Sequence, residues 1–329
     1  MKPVSFVTGG TGFIGQYLVK RLIAEGHEVR ILARTPEKAH ALFNGSAKII
    51  EGDILDAGAL ERGTSGAHYI FHLAARVGDY GPVKEFSRIN VTGTERLLDA
   101  AEQAGNVRLI YVSTNAVVGV KRKNITTEET PYADTGGPYG ITKGRAERAI
   151  LGRHGNNGFQ AVVVRPPLVY GPGSPNWILR PLGLMKNGKM ILVNGGNGRC
   201  WHLYVENLID ALMLAAKSDK APGEIFIVSD GEDTSWKRYF SLLAESAGLP
   251  PAQKNLSTRL ANVLAWSMYL LNKLTGMKPK LTPLGVGILT SEKGVSIDKA
   301  RRVLGYSPGV NLEEGMRRVG NWLRDEGLV

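Results

Sequence analysis

Apolar residues in the first 170 positions alternate between short β-branched runs and longer stretches with apolar side chains every three or four residues. Short apolar runs are typical of strands buried on both faces, and the wider spacing is typical of amphipathic helices. The pattern predicts strands at Val4 to Thr8, Glu28 to Ala33, Lys48 to Glu51, Tyr69 to Leu73, Arg108 to Ser113 and Gln160 to Arg165. It predicts intervening helices, the clearest at Ile14 to Glu25, Glu85 to Ala104 and Tyr139 to His154. Strands separated by helical crossovers indicate an α/β fold with a doubly wound parallel sheet, which binds its ligand at the carboxyl ends of the strands.

The pattern becomes less regular after Tyr170. It predicts helices at Trp177 to Asn187, Leu203 to Lys217, Ser235 to Gly248, Leu260 to Leu274 and Asn311 to Glu326, and strand-like segments at ILVNG and Glu224 to Val228. We therefore expect a large domain formed by residues 1–170, to which residues 190–230 return. Residues 171–189 and 231–329 are expected to form a smaller carboxyl-terminal α/β lobe that binds the substrate.

The first strand-to-helix turn, TGGTGFIG, places Gly9, Gly12 and Gly15 at three-residue spacing. Glycines in this position let the backbone approach a pyrophosphate, and the following helix offers free N–H groups and the positive end of its dipole. The turn predicts that the large domain is a Rossmann-type dinucleotide-binding domain. We expect cofactor contacts from Gly9, Thr11, Gly12, Phe13 and Ile14.

The end of the second strand bears on the choice between NAD and NADP. Enzymes that use NAD usually place an acidic side chain there, on the adenosine ribose. Here Ala33 and Arg34 occupy the position, with Lys38 nearby. A guanidinium pairs with a 2′-phosphate, whereas a carboxylate repels it. Arg34 therefore favours NADP(H), with NAD as the alternative.

Two further strand ends supply expected cofactor contacts. GDILD places Asp53 and Ile54 after the third strand, where the Asp53 carboxylate can accept a hydrogen bond from the adenine amino group. FHLAA brings Leu73, Ala74 and Ala75 to the end of the fourth strand. Their small side chains would let ribose and pyrophosphate lie against the backbone.

Candidate catalytic residues follow the fifth strand. Ser113 and Thr114 carry hydroxyls at its end, and Tyr139 and Lys143 stand four residues apart at the start of the next helix, on one helix face. An ammonium beside a phenol lowers the phenol pKa, so that the tyrosine can exchange a proton during carbonyl/alcohol interconversion. Lys143 can also hold the nicotinamide ribose, and Thr114 can orient the substrate oxygen.

Composition narrows the possible partners. The 329 residues include one cysteine, Cys200, and six scattered histidines, so we expect a reducing compartment and no metal. The formal charge is +11, but the excess is spread along the chain, which favours an anionic cofactor first, a membrane surface second, and no nucleic acid. The beginning of the sequence carries no signal-peptide pattern, and no apolar run reaches the length of a membrane span. We expect a cytoplasmic protein without a transmembrane segment.

The chain resembles the extended short-chain dehydrogenase/reductase superfamily over nearly its whole length. The motifs that carry this resemblance are TGGTGFIG, GDILD, HLAA, INVTGTERLLDAA, VSTNAVVG, PYGITKGRAE, RPPLVYGPG and YVENLIDAL. The resemblance implies a triad of Thr114, Tyr139 and Lys143, with Ser113 as a substitute for Thr114. It also implies Asn90 as a buried amide that supports the lysine or a proton relay, and Pro166 beside the nicotinamide. In many relatives two helices, here Glu85 to Ala104 and Tyr139 to His154, build a homodimer.

The superfamily contains both ketone reductases and nucleotide-sugar epimerases and dehydratases. Arg34 favours the first class, and the carboxyl-terminal SIDKARRVLGYSPGVNLEEGMRR is similar to the 3β-hydroxysteroid dehydrogenase and dihydroflavonol reductase branch. Dehydratases tend to carry an acid pair after Thr114, where this chain has Asn115 and Ala116. We therefore expect NADP(H)-linked reduction of a hydrophobic steroid-, flavonoid- or lipid-like ketone. The presence of both Tyr139 and Lys143 argues against a regulator that has lost catalysis.

The candidate residues for the substrate site leave alternatives open. Arg199 and His202 lie near where sugar-nucleotide enzymes place a diphosphate-binding arginine, which keeps an NAD-dependent epimerase as the alternative. A set of apolar residues could line a pocket or belong to the core: Tyr80, Val117, Leu168, Trp177, Trp201 and Tyr204.

The helix Leu260 to Leu274 is apolar and flanked by Lys254, Arg259, Lys273, Lys278 and Lys280. Such a helix can dock weakly on an anionic bilayer. The preferred expectation is a lobe helix buried against the sheet.

Overall fold

The computed structural model describes residues 2–120, 124–134 and 136–329. Its strands are β1 (Val4–Thr8), β2 (Glu28–Ala33), β3 (Lys48–Glu51), β4 (Tyr69–His72), β5 (Arg108–Val112), β6 (Gln160–Arg165), β7 (Leu168–Tyr170), β8 (Ile191–Val193), β9 (His202–Tyr204), β10 (Ile225–Ile227) and β11 (Lys254–Leu256). Its α-helices are α1 (Phe13–Ala24), α2 (Pro36–Phe43), α3 (Ala57–Thr64), α4 (Val83–Ser87), α5 (Gly93–Ala104), α6 (Gly137–Gly152), α7 (Arg180–Lys186), α8 (Val205–Lys217), α9 (Trp236–Ser246), α10 (Thr258–Thr275), α11 (Pro283–Leu289), α12 (Asp298–Leu304) and α13 (Leu312–Asp325).

Seven parallel strands form the central sheet in the order β10-β6-β5-β4-β1-β2-β3. The chain reverses direction across the sheet at β1 and β4, so the carboxyl ends of these strands flank a crevice. The predicted α/β class and doubly wound Rossmann-type sheet are confirmed, and the six predicted strands agree to within one residue. Helices α2 and α3 were not predicted, because each has only eight residues and too few turns to show a clear apolar period.

Alternating side chains of each strand enter two separate apolar layers. On one face, Val7 of β1 packs in a cluster with Leu18 of α1 and Leu208 of α8. On the other, its neighbour Phe6 packs with residues of α3, α5 and α6, among them Leu97. Helices therefore cover both faces of the sheet, and the strand ends are left to form the site.

The carboxyl-terminal third adds two small parallel pairs, β7 with β9 and β8 with β11. The helix predicted from Leu203 begins only at Val205, because His202–Tyr204 pairs with β7 instead. Strand β10 joins the main sheet beside β6. The division of the chain into two lobes stays a prediction.

Helix α10 does not pack against the central sheet, so that prediction is wrong. It contacts the protein through Ala261 and Ala265, which cluster with Val193 of β8 and Val286 of α11. Its leucines are exposed. Within the described ranges, no helix has both the length and the apolar content needed to cross a membrane.

Candidate active site

The turn between β1 and α1 forms a narrow backbone cradle. Gly9 has a φ of +76°, and a Cβ there would lie 2.8 Å from the backbone nitrogen of Ala74. A Cβ at Gly15 would collide with the carbonyl oxygen of Gly9. Gly12 precedes α1 and offers no capping side chain, which leaves N–H groups of the first turn free for an anion. The cradle therefore fits a pyrophosphate, and Thr11, Phe13 and Ile14 lie partly exposed along it.

The end of β4 forms the other wall of this cradle. Leu73 donates its N–H to the carbonyl of Thr8 at 3.1 Å, and Ala74 donates to the Thr8 hydroxyl at 3.3 Å. Leu73, Ala74 and Ala75 are all half-buried. The structure thus brings this predicted segment against the glycine turn, with small side chains beside it.

Arg34 and Asp53 meet at the carboxyl ends of β2 and β3. The Arg34 Nε lies 3.9 Å from an Asp53 carboxylate oxygen, and the Arg34 side chain is 80% exposed. The other Asp53 oxygen accepts the N–H of Leu55 at 3.0 Å. Arg34 is thus free to turn toward an added phosphate. The Ile54 side chain is buried with Leu97 in the core beneath α5, so only its backbone is available for the predicted cofactor contact.

The segments that carry the three predicted catalytic residues meet where β5 ends. Helix α6 approaches the turn after β5 so closely that a Cβ at Gly140 would lie 2.5 Å from the carbonyl oxygen of Ala116. The Lys143 ammonium donates to the carbonyl of Val112 at 2.7 Å, two residues before Thr114. The Thr114 hydroxyl accepts the N–H of Ala116 at 3.2 Å, which holds the turn and leaves the hydroxyl hydrogen free to donate.

Burial controls the protonation of the tyrosine and the lysine. It raises the pKa of Tyr139 above its ordinary value. It lowers the pKa of Lys143 to about 7, against the opposing effect of the Glu147 carboxylate. The Lys143 ammonium lies 3.9 Å from the centre of the Tyr111 ring. The predicted lowering of the phenol pKa is wrong for this structure, because desolvation of the phenol is the dominant effect.

A buried ion pair lies directly behind these residues, and sequence reasoning missed it. Arg165 and Glu147 pair at 2.6 Å, with side chains 1% and 0% exposed. Ser113 donates its hydroxyl to the same carboxylate, so Ser113 serves the ion pair and is not available to replace Thr114. The sequence contained one indication of this pair, because Glu147 lies one helical turn after Lys143 on the same face of the helix.

Asn90 supports the site through other residues than expected. It is buried in a wide helical turn between α4 and α5, where its amide oxygen accepts the N–H of Arg76 at 2.7 Å. Its amide nitrogen donates to the Arg76 carbonyl and to the Thr142 hydroxyl, each at 3.0 Å. Asn90 therefore ties the segment after β4 to α6, and its contact is with Thr142 and not with Lys143.

Pro166 stands next to the turn after β5, because its carbonyl accepts the N–H of Asn115 at 3.0 Å. The Asn115 side chain is almost fully buried, and neither of its amide atoms has a hydrogen-bond partner in the part of the chain that the structure describes.

His72 of β4 is a second buried residue that sequence reasoning missed. Its ring bridges Thr8 at 2.7 Å and Thr94 at 2.9 Å, and burial, together with the Lys143 charge, lowers its pKa to about 3. His72 is thus a neutral structural bridge.

Arg199 and His202 are already engaged by protein groups. Arg199 pairs with the exposed carboxylate of Asp233. His202 is 2% exposed and lies between Asp230, at 2.7 Å, and Thr234, at 2.9 Å. At the position considered for a diphosphate, His202 is therefore enclosed, and the partly exposed Arg199 is paired with Asp233.

The apolar residues considered for a substrate pocket separate into fully buried and half-buried positions. Val117, Leu168 and Tyr204 are buried in the protein core. Trp177 packs on the Trp236 ring, with centroids 5.6 Å apart, and Trp201 donates to the carbonyl of Lys293 at 2.8 Å. Tyr80 is half-buried in the segment between β4 and α4.

Comparison with known proteins agrees with this architecture. The NAD dependent epimerase/dehydratase family matches residues 5–229. The chain is 32% identical over 322 residues to a 4-hydroxy-2-methyl-3-oxo-4-farnesyl-3,4-dihydroquinoline-1-oxide ketoreductase of Stigmatella aurantiaca, covering 95% of this chain and 94% of that protein. It is 32% identical over 327 residues to a 3-beta-hydroxysteroid dehydrogenase of Mycolicibacterium neoaurum, covering 94% and 88%.

The fold is also similar to that of MoeE5 in complex with UDP-glucose and NAD, with a TM-score of 0.79, 27% identity, and coverage of 98% of this chain and 99% of that chain. The family match spans more than half of the chain, and it includes the glycine cradle and the Tyr139 and Lys143 pair. The chain belongs to the NAD-dependent epimerase/dehydratase family, as an NAD(P)-dependent oxidoreductase of the extended short-chain dehydrogenase/reductase type.

Proposed function

We propose that the protein interconverts a ketone and a secondary alcohol on a hydrophobic small molecule, using NADP(H). The glycine cradle would hold the pyrophosphate, Arg34 the 2′-phosphate, and Lys143 the nicotinamide ribose, with Pro166 beside the nicotinamide. When bound, the reduced cofactor supplies the hydride. The residues of this chain bind the cofactor, orient the ketone and supply the proton.

Tyr139 is the proposed proton donor. Burial raises the pKa of Tyr139, so the phenol carries its proton at neutral pH and can donate it to a carbonyl oxygen as that oxygen gains negative charge. A charged Lys143 would then stabilise the phenolate that remains. Thr114 would donate a hydrogen bond to the same carbonyl oxygen, because its own acceptor site already holds the Ala116 N–H. In the reverse direction the phenolate takes the proton from the alcohol.

The observation that carries the choice of a hydrophobic ketone is the engagement of Arg199 and His202. A nucleotide diphosphate needs exposed cations, but His202 is enclosed by Asp230 and Thr234, and Arg199 faces Asp233. The likeness to a ketoreductase of a farnesyl-bearing quinoline oxide and to a 3-beta-hydroxysteroid dehydrogenase supports an apolar substrate.

A sugar epimerase with retained NAD is the second candidate. The observation in its favour is the fold similarity to MoeE5 in complex with UDP-glucose and NAD. The two functions differ in how the cofactor is used, since an epimerase returns the hydride internally and a reductase exchanges its cofactor every turnover.

The test begins with the nucleotide in freshly purified protein, released by denaturation and identified by mass spectrometry before and after dialysis against the other cofactor. Steroid, flavonoid and lipid ketones are then screened for consumption of NADPH. Exchangeable NADP(H), with consumption of at least one ketone, is the expected result. Tightly held NAD that resists exchange, with no ketone consumed, would instead establish the epimerase.

Arg34→Asp is expected to reverse the cofactor preference. Loss of a charge-assisted contact and gain of a repelling carboxylate should lower kcat/KM for NADPH by about 10- to 100-fold, with a smaller change for NADH. Steady-state kinetics with both cofactors measures this. Arg62→Asp, at an exposed arginine near the same sheet edge, is the matched control and should change neither value. Equal cofactor constants in the wild type and Arg34→Asp would refute the role of Arg34.

The predicted homodimer and cytoplasmic location stay predictions. The outward positions of α6 include the exposed residues Arg145 and Arg148, so a dimer through this helix would bring charged side chains together.

A further inference from the structure

Helix α10 exposes a continuous apolar face. Positions 260, 263, 264, 270, 271 and 274 follow the three-and-four spacing of one helix face, and all of them are leucine or valine. Leu274 is 84% exposed, Leu270 55%, and the adjacent Trp266 54%. Met277 extends the face beyond the end of the helix. We call the surface formed by the exposed apolar side chains between residues 260 and 277 the α10 face.

The side of α10 that contacts the protein is the side with small residues. Ala261 and Ala265 are fully buried against Val193 and Val286, while the larger leucines point away. A helix that only filled the core would bury its leucines, since each fully buried leucine contributes roughly 1.5–3 kcal/mol. The α10 face is thus a large apolar surface without a partner in the described part of the chain, and such surfaces mark interaction sites.

The charged side chains of the segment that carries the α10 face all have one sign. Residues 246–291 contain no aspartate or glutamate. Within them, the exposed cations are Lys254, Arg259, Lys273, Lys278 and Lys280. A partner that covers this surface must therefore be apolar at its centre and anionic around it.

We propose that the α10 face docks the protein on an anionic lipid bilayer. A helix with exposed leucines and a tryptophan, bordered by lysines, lies flat at the boundary between headgroups and acyl chains. Trp266 and Tyr269 pack edge to face with centroids 5.7 Å apart, and aromatic side chains of this kind favour that boundary. Each nearby Lys or Arg adds attraction to anionic headgroups.

The docked face would lie on the same side of the protein as the start of α6, which carries Tyr139. Helix α11, which shares the α10 cluster through Val286, reaches the start of α6, where a Cβ at Gly137 would lie 3.0 Å from Leu284. Thr282, at the start of α11, bonds to Asp79 in the segment after β4. Docking would thus bring the start of α6 and the segment after β4 close to the bilayer surface. An apolar ketone could then reach the site from the lipid, and this consequence rests on the proposed function. The docking itself does not depend on the proposed function.

A second copy of this chain fits the α10 face poorly. If two such faces were in contact, five cations from each copy would surround one apolar interface. The same segments contain no acidic residue that could pair with these cations. Like charges at a desolvated rim oppose association. An anionic lipid surface satisfies the same cations.

The test is co-sedimentation of the full chain with phosphatidylglycerol vesicles and with phosphatidylcholine vesicles, at low and physiological salt. We expect binding to phosphatidylglycerol that weakens with salt, and little binding to phosphatidylcholine. Leu270→Gln/Leu274→Gln should weaken binding by about tenfold or more. The double variant Lys278→Glu/Lys280→Glu should also weaken binding to phosphatidylglycerol vesicles at low salt. Ile125→Gln and Lys20→Glu, at exposed positions elsewhere, are matched controls that should bind like the wild type.

Quenching by brominated phospholipids gives an independent readout, because Trp266 should be quenched on docking and Trp266→Phe should lose that quenching. No binding to phosphatidylglycerol at low salt overturns the proposal. So does equal binding to both lipids, or an oligomer in light scattering that Leu270→Gln/Leu274→Gln dissociates. Cofactor binding and turnover of a water-soluble ketone without vesicles are measured separately. Loss of docking with intact turnover refutes only the membrane surface, and docking without turnover refutes only the proposed function.

Discussion

Replacing Tyr139 with phenylalanine is expected to lower kcat for ketone reduction by about a thousandfold, while the protein folds normally and keeps its cofactor affinity. The substitution removes only the phenolic hydroxyl. The ring stays on α6, whose first turns are held by the close contact of Gly140 with Ala116. The proton donor is then lost, but the glycine cradle is unchanged. Single-turnover kinetics and a cofactor titration by fluorescence measure the two quantities.

Tyr69→Phe is the matched control for this experiment. Tyr69 begins β4, at the end of the strands opposite the carboxyl ends that form the site, and its ring lies tilted beside that of Phe71 with centroids 6.4 Å apart. Its substitution should leave kcat unchanged. Turnover of Tyr139→Phe within tenfold of the wild type would show that another group donates the proton, and the proposed mechanism would be wrong.

Replacing Glu147 with alanine is expected to lower the free energy of unfolding by about 3–5 kcal/mol. The Arg165 guanidinium makes three contacts with this carboxylate, between 2.6 and 3.1 Å, and is almost completely buried. Removing the carboxylate leaves a charge in the core without its partner, and it also leaves the Ser113 hydroxyl without its acceptor. Urea unfolding followed by far-UV circular dichroism measures the change.

The paired variant Glu147→Leu/Arg165→Met separates loss of the charge partner from loss of packing. Replacing both charges by apolar side chains of similar size should restore much of the lost stability, because no unpaired charge remains. If Glu147→Ala costs less than about 1 kcal/mol, the ion pair has little structural weight, contrary to this argument. Glu147 also raises the pKa of Lys143. The paired variant should therefore lower that pKa and shift the pH profile of turnover to lower pH.

Local sequence patterns were sufficient for the main elements of the site. The six strands depend on short apolar runs, and the glycine cradle depends on residues that are neighbours in the chain. Tyr139 and Lys143 share a face because an α-helix repeats every 3.6 residues. These features follow from interactions within a few residues, so their sequence signal is strong.

Positions whose role depends on distant partners were harder to predict. Ser113 and Thr114 are adjacent and chemically alike, but the Ser113 hydroxyl meets Glu147, and Thr114 meets the backbone of Ala116. Nothing in the local sequence distinguishes them. The apolar spacing of α10 predicted a helix correctly, but a spacing does not reveal whether the face it creates is covered by the rest of the chain.

The sequence by itself determined the parallel α/β fold, the glycine cradle and the shared helix face of Tyr139 and Lys143, because each arises from local periodicity and turn chemistry. Only the tertiary structure decided three other matters: the buried Glu147 and Arg165 pair, the raised pKa of Tyr139 and the exposure of the α10 leucines. The reason is that burial and charge pairing are set by residues far apart in the chain, and their effects appear only when the packed elements bring those residues together.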